Sequence, residues 1–154
     1  MKELYGRHPH LTPIFSNSVF ACAAFNFGPR AICLPHRDAM NLAFGWCAVT
    51  ALGSFDHTKG GHLVLPELKL AIQFPAGSTL FIPSALFTHY NLPIAEEECR
   101  SSFTQFSAGN LFRWIAYGFQ LKGVAVKRGV RPKQWWDHLK GLYTILPGDR
   151  LASR

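Results

Sequence analysis

Pro35-His36-Arg37-Asp38 sets two metal-ligand types two residues apart. On an extended chain, residues i and i+2 point to one side, so the His36 imidazole and the Asp38 carboxylate can reach the same ion. A second histidine, His89, follows much later in the chain. Two imidazoles and one carboxylate hold one face of an octahedral Fe(II) and leave the remaining positions open. His-x-Asp alone is a weak signal. Arg100-Ser101-Ser102, eleven residues after His89, sharpens it. Arg100 and Ser102 are again i and i+2 on an alternating run, so a guanidinium and a hydroxyl can meet one carboxylate, the arginine bidentately.

The segments around these residues read as short strands. Val19–Phe27, Ala31–His36, Gly45–Leu52, His62–Leu65, Leu68–Phe74, Thr79–Pro83, His89–Ile94 and Arg100–Phe106 are apolar or alternating runs. They are separated by turn residues such as Gly28-Pro29, Gly60-Gly61 and Pro75-Ala76-Gly77-Ser78. In the last run Arg100, Ser102, Thr104 and Phe106 share one face, and Ser101, Phe103 and Gln105 the other. Eight short strands with no helical period before Asn110 predict a closed or sandwiched antiparallel fold, a double-stranded β-helix (jelly roll) with its ligands near strand ends. Residues 1–18 form a turn-rich lead-in with room for a short helix.

After Gly109 the period changes. Leu111, Trp114, Ile115, Gly118 and Phe119 fit one helical face, and Gln134–Tyr143 reads as a second helix. One or two C-terminal helices therefore follow a β core at about 19–108. The helical, basic segment covers about 110–146, and the whole of 1–154 reads as a single domain. The chain carries a net charge of +7, hydrophobic content of 48% and charged content of 16%. That composition argues against disorder, and the positive balance admits a polyanionic partner such as nucleic acid. No run approaches the eighteen or so apolar residues of a membrane span, and the start lacks a signal-peptide pattern. An intracellular protein is expected, nuclear if its substrate is DNA and otherwise cytoplasmic. Cys22, Cys33, Cys47 and Cys99 form no Cys-x-x-Cys pair, which predicts buried, reduced thiols.

The sharp reading competes with plainer ones. His8, His10, His57, His62 and His138 lack partners at ligand spacing and read as ordinary surface or turn histidines, with His62 the exception to watch. Arg100 has a salt bridge to Glu96 or Glu97 as its alternative. Cupin-type metal sites are the structural competitor, although they carry more histidines and no Arg-x-Ser. A metal triad followed by a carboxylate clamp is the chain order of 2-oxoglutarate oxygenases. On that reading His36, Asp38 and His89 ligate iron, while Arg100 holds the far carboxylate of 2-oxoglutarate. Ser102 adds a hydrogen bond, Thr104 lies next along the same face, and O₂ takes the last coordination site. Asn26, on the adjacent strand, is a candidate for the iron-side carboxylate. Asn41, Phe44 and Trp46 are candidates for the substrate mouth, where aromatics stack on planar ligands.

Several stretches also occur in a familiar order: Phe25-Asn26-Phe27-Gly28-Pro29-Arg30, Pro35-His36-Arg37-Asp38, Gly45 to Leu52, Gly60 to Leu65, Phe74 to Thr79, His89, and Arg100 to Gln105. Over roughly residues 19–120 the chain resembles fungal 2-oxoglutarate/Fe(II) dioxygenase domains, close to the TET/JBP-type nucleic-acid oxygenases. The resemblance implies Fe(II) and 2-oxoglutarate as cofactors and O₂ as co-reactant. It also implies hydroxylation of a methyl group on a base: 5-methylcytosine, thymine or N6-methyladenine. The competing classes are a protein or small-molecule hydroxylase on the same fold, and an inactive, truncated metal- or DNA-binding relic.

Overall fold

A computed structural model describes residues 2–130. It is mainly β, with antiparallel sheets. A short helix α1 (Lys2–Arg7) precedes β1 (Cys22–Asn26), β2 (Cys47–Ser54), β3 (Leu63–Leu65), β4 (Leu70–Ile72), β5 (Thr79–Ile82), β6 (Tyr90–Asn91) and β7 (Cys99–Phe106). Helices α2 (Gly109–Ala116) and α3 (Lys122–Lys127) follow. One sheet has the order β1-β7-β2-β5 and the other β4-β3-β6. The chain divides after Leu111 into two compact units, and the seven strands of the described residues belong to the first.

The core explains why these short runs suffice. Cys47 and Ala51 from β2, Leu63 and Leu65 from β3, Phe74, and Ile82 from β5 form one buried cluster that joins the two sheets. Phe74 has no exposed surface. It stands just after β4, at the end of a run that is otherwise poorly covered: Leu68, before the strand, and Leu70, in it, are close to half exposed. Only Ile72 of that alternating run packs on the core.

β7 is the central strand of its pairings. Asn26 of β1 and Ala51 of β2 both stand opposite Ser102. Gly53 stands opposite Arg100 with φ 118°. A side chain there would run into the Cys99 carbonyl and the Arg100 Cα. Glycine therefore lets β7 come close at the residue carrying the guanidinium.

Three sequence expectations need correction. Ala31–His36 is not a strand. It makes one isolated bridge, His36 with His89, and Arg30 just before it bridges Arg100. Pro35 has no N–H to contribute, and a side chain takes over the pairing: Cys33 N donates to Asn91 Oδ1, and Asn91 Nδ2 donates to the Ala31 carbonyl. Helix α2 stops before Gly118 and Phe119, both left-handed at φ 67° and 61°. Gly118 N returns to Ile115 O and Phe119 N to Trp114 O, a Schellman ending. The cysteines are free, but only Cys47 is buried, and Cys99 is exposed. The expected helix at Gln134–Tyr143 lies outside the described residues.

Truncating Phe74 to alanine should remove about 3–5 kcal/mol of stability, the usual cost of an aromatic cavity in a core. Phe25→Ala, on a half-exposed ring, should cost much less. Urea denaturation of both variants measures the contrast, and equal losses would place the core elsewhere.

Candidate metal and anion site

His36 and Asp38 stand on the irregular segment between β1 and β2; His89 immediately precedes β6. The two segments are paired through their backbones. His36 N donates to His89 O at 3.2 Å and His89 N to His36 O at 2.9 Å. Asp38 N is held in turn by the Ser84 carbonyl at 3.0 Å. The ligand atoms of His36, Asp38 and His89 lie within 4.8 Å of one another. His36 Nε2 is 3.5 Å from Asp38 Oδ1, and His89 Nε2 is 3.9 Å from Asp38 Oδ2.

Both imidazoles have their tautomer set. His36 Nδ1 lies 2.7 Å from the Leu34 carbonyl and His89 Nδ1 3.1 Å from the Phe87 carbonyl. A carbonyl only accepts, so each Nδ1 donates its N–H there and each Nε2 is the ring atom turned toward the carboxylate. Asn41 Nδ2 donates to Asp38 Oδ2 and to Ser84 Oγ, both at 3.1 Å. Two neutral imidazole nitrogens and one oriented carboxylate suit a divalent first-row ion with open positions.

The same cavity, about 270 Å³ in volume, is also lined by Arg100, Ser102, Asn26 and Thr104. Arg100 is 2% exposed. Its Nη1 donates to the Ala31 carbonyl at 3.2 Å, and its buried Nε has no hydrogen-bond partner. Burial pulls its pKa down, with the Cys33 thiol acting in the opposite direction. Among the described residues Arg100 forms no ion pair, so the expected alternative with Glu96 or Glu97 is not realised. Arg30 takes the Glu96 carbonyl instead. A guanidinium this buried, with no ion-pair partner among the described residues, can accept an anion at low desolvation cost. Ser102 accepts from Asn26 Nδ2 at 3.0 Å, so Asn26 is tied to the Arg100 strand.

Neither a protein-family model nor a curated protein matches the chain. Solved structures do. NgTET1 in complex with 5mC DNA is 25% identical over 60% of this chain, with a TM-score of 0.51. The TET/JBP resemblance is one of fold as well as sequence. This chain spans about a third of that protein, covering 35% of it. The viral collagen prolyl hydroxylase vCPH from Paramecium Bursaria Chlorella virus-1, in its 2OG complex, also matches, at 16% identity and a TM-score of 0.39 over 68% of this chain and 66% of that one.

Within this TET-like frame, all six candidate ligands of the sequence reading line one cavity. Of the mouth candidates, Asn41 lines it and grips Asp38. Trp46 and Phe44 do not line it; Trp46 borders a groove on the other face of the larger sheet and is 58% exposed. His62 stands outside the triad, and its buried Nδ1 has no partner. Asn91, Ser84, Cys33 and Cys47 are the residues the sequence reading missed. Asn91 had a signal, since it stands two residues beyond His89 and so faces the same side. Ser84 had none.

Cys47 is buried to 1% exposure in the cavity wall, and burial pushes its thiol up to about 11, partly opposed by a hydrogen bond with Ser84. At pH 8 a chromogenic disulfide reagent should therefore modify Cys99 quickly and leave Cys47 untouched until the protein is denatured. Peptide mapping decides it; native modification of Cys47 would show the wall to be open.

Proposed function

We propose that this chain is an Fe(II)- and 2-oxoglutarate-dependent dioxygenase domain on a double-stranded β-helix. We further propose that it hydroxylates a methyl group on a nucleic-acid base: 5-methylcytosine, thymine or N6-methyladenine. The observation that carries this reading is the shared cavity: a two-histidine, one-carboxylate cluster and a buried, unpaired arginine face the same space. When bound, iron and 2-oxoglutarate supply the oxidising chemistry. The chain's residues bind and orient. His36, Asp38 and His89 hold the metal on one face. Arg100 fixes the far carboxylate by charge and a planar fork, and Ser102 and Asn26 border it. Asn41 holds the Asp38 carboxylate in place for the ion.

The nucleic-acid part rests on the likeness to NgTET1, which is complexed with 5mC DNA. Its second support is the net charge of +7, with exposed Lys122, Lys127 and Arg128 on and after α3. Those residues are candidates for phosphate contact.

The decisive assay is succinate formed with Fe(II), 2-oxoglutarate and O₂, in the presence and absence of methylated oligonucleotides. Stimulation by the oligonucleotide, with a hydroxylated base as product, is expected. Turnover only with peptides or small molecules would move the substrate class, and no turnover would leave a binding relic. His36→Ala or Asp38→Ala should abolish the visible Fe(II)·2-oxoglutarate absorbance while the fold survives. Arg100→Lys should raise the 2-oxoglutarate KM at least about tenfold, worth about 1.4 kcal/mol; an unchanged KM would move the anchor. Neutralising Lys122, Lys127 and Arg128 should flatten the dependence of log duplex affinity on log salt by about two to three units, at roughly 0.9 per phosphate contact. Equal slopes would reduce these residues to a solubility feature.

A further inference from the structure

The triad occupies one face of a two-segment crossing, and the opposite face of that crossing is built as carefully. His36 and His89 pair in antiparallel register. The same register sets Arg37 opposite Thr88, one step along. Alternation then turns His36, Asp38 and His89 to the cavity and Arg37 and Thr88 away from it. These two outward residues meet on a third segment. Glu67 Oε1 accepts from Arg37 Nη2 at 2.7 Å, from Thr88 Oγ1 at 2.7 Å and from Thr88 N at 3.1 Å. Arg37 Nε donates to Thr88 Oγ1 at 3.1 Å and closes the knot.

Glu67 is presented by a short 3₁₀ turn, Pro66–Leu68, between β3 and β4. Lys69 ends that turn in the left-handed region at φ 54°, its N–H returning to the Pro66 carbonyl. A non-glycine residue in that conformation is strained and persists where the surroundings over-determine it.

We propose that Glu67 is a positioning residue for the metal site, locking the Asp38 and His89 segments together from behind so that their ligand atoms converge before an ion arrives. The inference rests on the metal reading of the triad. Its physical motive is that three ligand atoms on two segments bind an ion best when the segments are held at binding distance beforehand, and the two His36–His89 backbone hydrogen bonds leave the outer face of the crossing to be fixed from behind. One carboxylate oxygen with three donors from both segments fixes it. Thr88 first, and Arg37 second, pull the Glu67 carboxyl down to about 2, so it is ionised wherever histidine binds metal. The groups are partly exposed, so the knot adds little to global stability. Its effect falls on geometry.

Co(II) binding, followed by visible absorption and calorimetry without cosubstrate, tests this apart from turnover. Glu67→Ala should weaken Co(II) affinity by about tenfold, the lower end for outer partners of a metal site, and should alter the Co(II) spectrum. Glu67→Gln keeps an acceptor oxygen and should restore part of the loss; it also serves if the alanine variant folds poorly. Asp56→Ala is the matched control. Asp56 likewise takes a threonine and a lysine, Thr58 and Lys59, but stands away from the ligands. It should leave Co(II) affinity and spectrum unchanged. If the wild-type chain binds Co(II) and Glu67→Ala matches it within twofold, with the same spectrum, the positioning role is overturned. If the wild-type chain binds no Co(II), the metal reading fails and this inference fails with it.

Discussion

Arg100 is the constraint around which the cavity is built. A guanidinium at 2% exposure cannot be left in an apolar wall without compensation, because removing a cation from water costs several kcal/mol even after relaxation. The protein supplies only part of that compensation: one carbonyl, from Ala31, and the face of the Phe55 ring, its centroid 5.9 Å away. Everything near it follows from the need to hold that charge open. Gly53 gives β7 the close approach that seats the residue. Asn91 organises the segment from Ala31 to Cys33 without a strand's own ladder, placing the Ala31 carbonyl where Nη1 can reach it. Ser102 and Thr104 continue the polar wall along the same face of β7.

Much of this is legible in the sequence, where local spacing carries it. The i, i+2 relation of His36 with Asp38, and of Arg100 with Ser102 and Thr104, is a property of any extended chain, whether or not a ladder is formed. That is why the three candidate ligands still converge even though Ala31–His36 is no strand. What is not legible are the contacts that cross long separations. Nothing in Cys33 or Asn91 announces that an amide will stand in for a strand, and Pro66-Glu67 looks like a simple break. The knot of Glu67, Arg37 and Thr88 becomes visible only once the His36–His89 register is known.

The aromatic content misleads for a related reason. Thirteen phenylalanines suggest a filled barrel, and alternation sorts residues into two faces without saying which face is covered. In the structure Phe25 and Phe27 stack on each other while 51% and 83% exposed, and Phe103 packs between Phe15 and Phe25. Phe15, Phe81 and Phe103 line a groove of about 820 Å³ on the face of the larger sheet away from the cavity. The buried core is made instead by smaller residues, with Phe74 as the one fully enclosed ring among the described residues.

The charges lining the cavity bear on its proposed cosubstrate. Its wall holds one acid, Asp38, and one base, Arg100; with neutral imidazoles their charges cancel. A divalent ion on the triad would raise the sum to two positive charges, with the cation at one set of groups and the guanidinium at another. Such a field does not favour a neutral ligand, and a monoanion answers only half of it. A dicarboxylate answers both ends, one carboxylate for the ion and one for Arg100, and each pairing removes a desolvation penalty the other cannot. The order of binding follows from the same sum. Without the ion the cavity is neutral overall and Arg100 is its one positive charge, so a dianion gains one partner and faces the Asp38 carboxylate with the other end. With the ion in place that repulsion becomes attraction. On the proposed reading, metal and dianion should therefore bind with positive coupling, each strengthening the other's affinity by the same factor.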